Sequence, residues 1–119
     1  MAKPITRLRK RAKQGDMGFP KATLAFYGPD NSRASKAVLG IFLHDDTEAI
    51  IHRYFSEATD ARYTVDIQEN VLARLREQNV RSLIMMEEIF GCPHEEGIDY
   101  AEGEPCPHCP FWKGRDRFQ

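Results

Sequence analysis

No apolar run in the 119-residue chain approaches the roughly 18 residues that a membrane span requires, so no transmembrane helix is expected. The basic N-terminus is not followed by an apolar stretch, so a secretory signal is not expected either, and a cytoplasmic protein is the default. Cysteine is scarce, with three in all, and an odd count cannot close into a full disulfide framework. Tryptophan occurs once. These scarce residues are not scattered. All three cysteines, two of the four histidines and Trp112 lie between Cys92 and Trp112. In a reducing compartment such a cluster points to metal rather than to disulfides.

With 41% hydrophobic and 29% charged residues, the bulk of the chain has the composition of one globular domain. The near-zero net charge hides an asymmetry. Six of the 17 basic residues, Lys3, Arg7, Arg9, Lys10, Arg11 and Lys13, fall in the first 16 positions, against one of the 18 acids, Asp16. The remainder keeps 11 basic and 17 acidic residues, a formal −6. A basic arm on an acidic body is a pattern of proteins that touch nucleic acid. A solvated, mobile terminus has the same composition. The expected organisation is a flexible basic arm over residues 1–18 and a single domain over 19–119 that includes a zinc-binding tail at 91–113. Ile5, Leu8 and Ala12 give the arm enough periodicity for a transient helix on a partner.

Lys21 to Tyr27 alternates, with Ala22, Leu24 and Phe26 on one face, the signature of a half-buried strand. Gly28-Pro29-Asp30-Asn31-Ser32 is turn chemistry. Lys36 to Leu43 is apolar on both faces and is expected as a central strand, paired with the first as a hairpin. Asp45 to Phe55 reads two ways, as a capped helix with Ile50, Ile51, Tyr54 and Phe55 buried, or as a third strand over Ala49–Phe55. The strand is preferred, because a meander buries the hairpin. Asp66-Ile67-Gln68-Glu69 offers a capping box before an apolar stripe of Val71, Leu72 and Leu75, and Asn79 suits a left-handed helix stop. Val80 to Phe90 is the last strand. A strand, helix and strand in this order imply a crossover and a parallel pairing. The expected fold is α+β, a small mixed sheet with a crossover helix and a C-terminal metal-bound loop.

The tail holds two Cys-Pro-His triplets, at 92–94 and 106–108. Zinc in structural sites takes four nitrogen or sulfur ligands from short chelating loops. Cys106-Pro107-His108-Cys109 resembles the Cys-Pro-x-Cys knuckle of zinc ribbons and rubredoxins, with Pro110 where those families have glycine. The preferred ligand set is Cys92, His94, Cys106 and Cys109. His108, between the two knuckle cysteines, is the second choice for the fourth place. Phe111 and Trp112 read either as an apolar plug or as a stacking platform for bases.

Two enzymatic patterns also appear. His94-x-Glu96 with Pro105-Cys106-x-x-Cys109 resembles the zinc deaminase signature, which would make Glu96 the proton shuttle. The spacing is too short for the helix and strand such enzymes place between the motifs, and Cys92 would fill the position that water needs. The order of elements is similar to the core of ribonuclease H-like folds, with Asp30, Glu69 and Glu87 or Glu88 as candidate magnesium ligands. That family's first-strand motif is missing.

Over most of its length beyond the arm the chain also resembles a family of small, uncharacterised bacterial proteins that have similar strands and end in a similar Gly-Cys-Pro-His-Glu-Glu-Gly…Cys-Pro-x-Cys-Pro-Phe-Trp string. The resemblance implies a shared zinc-stapled fold and carries no activity across. The leading expectation is a non-enzymatic zinc-binding module that docks on a macromolecule. Nucleic acid is the first candidate, through Arg7, Arg9, Lys10, Arg11, Lys13, Trp112, Lys113 and Arg115. A metal-dependent nuclease and a protein-interaction module are the alternatives.

Overall fold

The computed structural model describes residues 3–13, 18–45, 47–95, 97–104 and 106–112. Helix α1 spans Pro4–Lys13, strands β1, β2 and β3 span Lys21–Tyr27, Lys36–Phe42 and Ile50–Phe55, helix α2 spans Val65–Glu77, and β4 spans Ser82–Gly91. The strands form one mixed sheet in the order β3-β2-β1-β4. β1 and β2, then β2 and β3, pair antiparallel, while β4 lies parallel to β1. This is the α+β fold expected, with the third segment settled as a strand.

Period-2 alternation sets the faces. Ala22, Leu24 and Phe26 of β1, Ala37, Leu39 and Ile41 of β2 and Leu83 of β4 point to one side and form the core with Ile67, Val71, Leu72 and Leu75 of α2. Among the described residues no helix covers the other side of the sheet, and Ile84 and Met86 of β4 are exposed there. The apolar residues on both faces of β4 therefore do not mark a strand buried on both sides. Among the described residues no helix is long and apolar enough to cross a membrane.

Three local expectations change. The arm is the largest. Residues Pro4–Lys13 form a helix that packs against α2 and β4, and Leu8, 1% exposed, belongs to the core. Over these residues the segment is part of the body rather than a free appendage. Pro4 sits in the first helical turn, where its missing N–H costs nothing. The capping box is the second. α2 begins at Val65, its N-cap is Thr64, and no side chain caps it. Asp66 lies inside the first turn, where its charge suits the helix dipole. Thr64 is diverted, since its hydroxyl donates to the Asp60 carbonyl at 2.8 Å. The third is minor, as β4 starts at Ser82 rather than Val80.

The helix stop is as expected. Asn79 has φ of 52°, Val80 N–H bonds to Leu75 O at 2.9 Å and Asn79 N–H to Arg76 O at 3.1 Å. That is a Schellman pattern with buried Val80 covering the last turn.

Arg9 fastens α1 to β4 through Nη2 to Glu87 Oε1 at 2.6 Å and Nε to both oxygens. The hydrogen bond from Arg9 holds the Glu87 carboxyl below its ordinary range. A depressed folded-state value means the pair stabilises above the ordinary carboxylate range, and the gain is lost as pH falls through the lowered value. Because both side chains are well exposed, solvent screening keeps the effect small. Arg9→Met is accordingly expected to lower the urea midpoint near neutral pH and to leave it unchanged in strong acid. An equal loss at both ends of the pH range would assign the effect to packing of the arginine stem.

Candidate metal centre

β4 delivers the chain at Gly91 straight into Cys92, and the tail then folds back over the end of the sheet. Its first turn is tight. Glu95 O accepts from Ile98 N–H at 3.1 Å and Asp99 N–H at 2.7 Å, the Asp99 carboxylate accepts from Glu95 N–H at 2.7 Å, and Gly97 supplies a φ of 82°. The second loop ends in a short 3-10 turn at Pro110–Trp112, closed by Trp112 N–H to Cys109 O at 3.1 Å.

These turns bring together Cys92, His94, Cys106 and Cys109, whose ligand atoms all lie within 4.8 Å of one another. His94 Nδ1 stands 3.3 Å from Cys92 Sγ, 3.5 Å from Cys106 Sγ and 3.4 Å from Cys109 Sγ. Metal–sulfur bonds of about 2.3 Å and metal–nitrogen bonds of about 2.0 Å meeting at the tetrahedral angle give S···N edges of about 3.5 Å. The donors therefore fit a tetrahedral ion at their centre. The cysteines form no disulfide. Burial first, and the neighbouring Cys92 sulfur second, push the Cys109 thiol up, and burial likewise raises Cys92. Thiolates share so small and dry a space only around a cation, so the cluster can hold a metal ion. His94 N–H also donates to Cys92 Sγ at 3.3 Å, a bond that favours thiolate.

His108, the second choice, is exposed and stands outside this group, its ring 5.0 Å from that of His94. Trp112 is half-buried. Its indole N–H donates to Gly28 O at 2.7 Å, and its ring meets Phe111 edge-on at 4.9 Å. It pins the Cys/His loop to the end of β1. Gly28 itself is required by the turn that follows β1, because a Cβ there would come within 2.2 Å of Arg33 O.

A second fastening has no counterpart among the sequence motifs. Lys36 at the start of β2 is only 3% exposed, and its ammonium bonds Pro93 O at 2.9 Å and Glu95 Oε2 at 2.8 Å. Arg53 of β3 grips both oxygens of the same carboxylate at 2.8 and 2.9 Å. Arg53 first and Lys36 second hold Glu95 down to about 2. A lysine opening an otherwise apolar strand was the only signal in the chain, and nothing local ties it to Glu95, 59 residues on.

The cationic residues divide. Arg7, Lys10 and Lys13 are exposed on α1 and make no salt bridge among the described residues. Arg9 is committed to Glu87, and Arg11 donates to Val80 O at 3.2 Å. Lys113 and Arg115 lie outside the described residues, as does Glu96 of the deaminase-like pattern. The carboxylates of the ribonuclease H-like reading are not gathered. Asp30 is held in its own turn by Ser32, Glu87 is paired with Arg9, and the metal-capable group among the described residues is the Cys/His cluster alone.

Set against protein-family models, curated proteins and solved structures, the chain matches none of them.

Proposed function

We propose that this protein is a zinc-stapled α+β binding module without a catalytic metal, and that it docks on nucleic acid through the outer face of α1. The convergence of three sulfurs and one nitrogen within 4.8 Å carries the first part. Soft thiolates with one imidazole suit zinc and not magnesium or calcium. Four protein donors close the shell, whereas catalytic zinc keeps one position for water or substrate. Thiolate ligands also need reduced cysteines, which supports a reducing compartment such as the cytoplasm.

The second part rests on α1. Packing of Leu8 against the body makes Arg7, Lys10 and Lys13 a fixed cationic row instead of a loose tether. A rigid row of unpaired cations suits the evenly spaced phosphates of a nucleic acid backbone. Electrophoretic mobility of duplex DNA and of RNA across a salt series tests it. Binding is expected to weaken with salt. Arg7→Gln with Lys10→Gln and Lys13→Gln is expected to flatten the log–log slope on DNA by about 3, at roughly 0.9 for each phosphate no longer neutralised. No binding at low salt, or an affinity that ignores salt, sinks this reading.

A further inference from the structure

An open strand edge offers a row of unpaired N–H and C=O groups, and proteins blunt such rows with bulges, charges or covering groups. At β4 all three are present. Its register against β1 shifts twice between Leu24 and Tyr27, Arg62 Nη1 donates to the Glu87 carbonyl at 2.9 Å, and α1 lies along the strand with Arg9 clamped to Glu87. β3, at the other edge, is bare among the described residues. It pairs in unbroken register with β2, and no other hydrogen bond among those residues reaches the backbone of Ile50–Phe55.

The side chains of β3 are as unusual for an edge as its backbone. On the face turned away from the helices it presents Ile51 and Phe55, 42% and 68% exposed. Arg53 stands between them, a charge that would ordinarily deter a second strand. Here Glu95 of the same chain neutralises it through two hydrogen bonds.

We infer that β3 is a dimerisation edge on which a second copy of this chain pairs antiparallel, about a twofold axis through Arg53. The two sheets then form one of eight strands in the order β4-β1-β2-β3-β3-β2-β1-β4. A twofold axis normal to the sheet keeps each face continuous, so each residue opposes one of its own parity. Centring on Arg53 sets Ile51 against Phe55 of the second copy, and Phe55 against Ile51, an aliphatic–aromatic cross-strand pair on each side of the axis. Centring on His52 would set Ile51 against Arg53, and centring on Tyr54 would set Phe55 against Arg53. The chosen register matches both exposed apolar side chains. At the axis the two arginines meet already paired with Glu95. Self-complementarity of this kind favours a second copy over a foreign strand. The interface is small, so association in the micromolar range is expected.

Light scattering or sedimentation of the full chain over the micromolar range is expected to show the mass rising from one chain to two. Ile51→Lys and Phe55→Lys each act twice across the axis and are expected to raise the dissociation constant by about tenfold or more. Circular dichroism and bound metal should stay at wild-type values for Ile51→Lys, whose side chain faces solvent, which separates loss of association from the contact that Phe55 also makes with the Lys36 ammonium at 5.6 Å. A single-chain mass at every concentration overturns the inference and leaves the edge to a foreign strand. A dimer that ignores both substitutions but dissociates on Ile84→Lys overturns it as well, by moving the interface to the open sheet face.

Discussion

Cys109→Ser is expected to take bound zinc from about one ion per chain to well under half, and to release the tail from the end of the sheet. Cys109 is fully buried, its thiol is surrounded by the other donors, and serine offers a hard oxygen in place of a thiolate. Zinc-finger peptides draw about 10–16 kcal/mol of apparent folding energy from their ion. Here the β-sheet has its own core, so much of the loss should appear as local opening from Cys92 to Trp112. The remainder reaches the body through Trp112 on Gly28 and Glu95 on Lys36 and Arg53. Hydrogen exchange should show the tail amides unprotected while β1 and β2 stay protected. His108→Ala, at an exposed position outside the donor group, is expected to keep its zinc. Wild-type protein purified without chelator that carries less than half an equivalent would sink the assignment of zinc.

Leu8→Ala is the second large expected effect. The side chain is 1% exposed among α2 and sheet residues, so truncation leaves a cavity in the shared core. Buried leucine-to-alanine changes cost about 2–5 kcal/mol. At about 4 °C per kcal/mol for a chain of this size, the melting temperature should fall by about 8–20 °C. Arg7→Ala on the exposed side of the same helix should stay within about 0.5 kcal/mol. An unchanged melting temperature in Leu8→Ala would mean that α1 does not dock in solution. The pair of variants also separates the proposed docking role of the helix, which Arg7 tests, from its role in stability, which Leu8 tests.

The Cys/His cluster was legible in the chain because its signal is local. Two Cys-Pro-His triplets carry the ligand chemistry, and eleven residues between His94 and Cys106 close into a loop at modest entropic cost. The first three strands were legible for a similar reason, since alternation along a strand reports its faces directly. The Asn79 stop rests on a single residue's tolerance of positive φ.

What could not be read depends on partners distant in sequence. Three apolar residues in a basic decamer do not announce a docked helix, and Leu8 is buried only because α2 and β4 leave a place for it. Trp112 reads either as a stacking platform or as a plug along the chain, and only the fold ties its indole N–H to the Gly28 carbonyl, 84 residues away. Thr64 rather than Asp66 heads α2 because the Asp60 carbonyl draws the Thr64 hydroxyl into the preceding turn. Lys36, Arg53 and Glu95 carry no motif at all, and burial of one ammonium against one carboxylate makes them a unit. By itself, then, the sequence determined the strands, the helix stop and the four donors, because each follows from residues within one or two turns of each other or from short loops. Only the tertiary structure decided which cations are spent on the fold and which stay exposed, and which sheet edge is left bare among the described residues. Those outcomes depend on desolvation and pairing between segments that no spacing along the chain records.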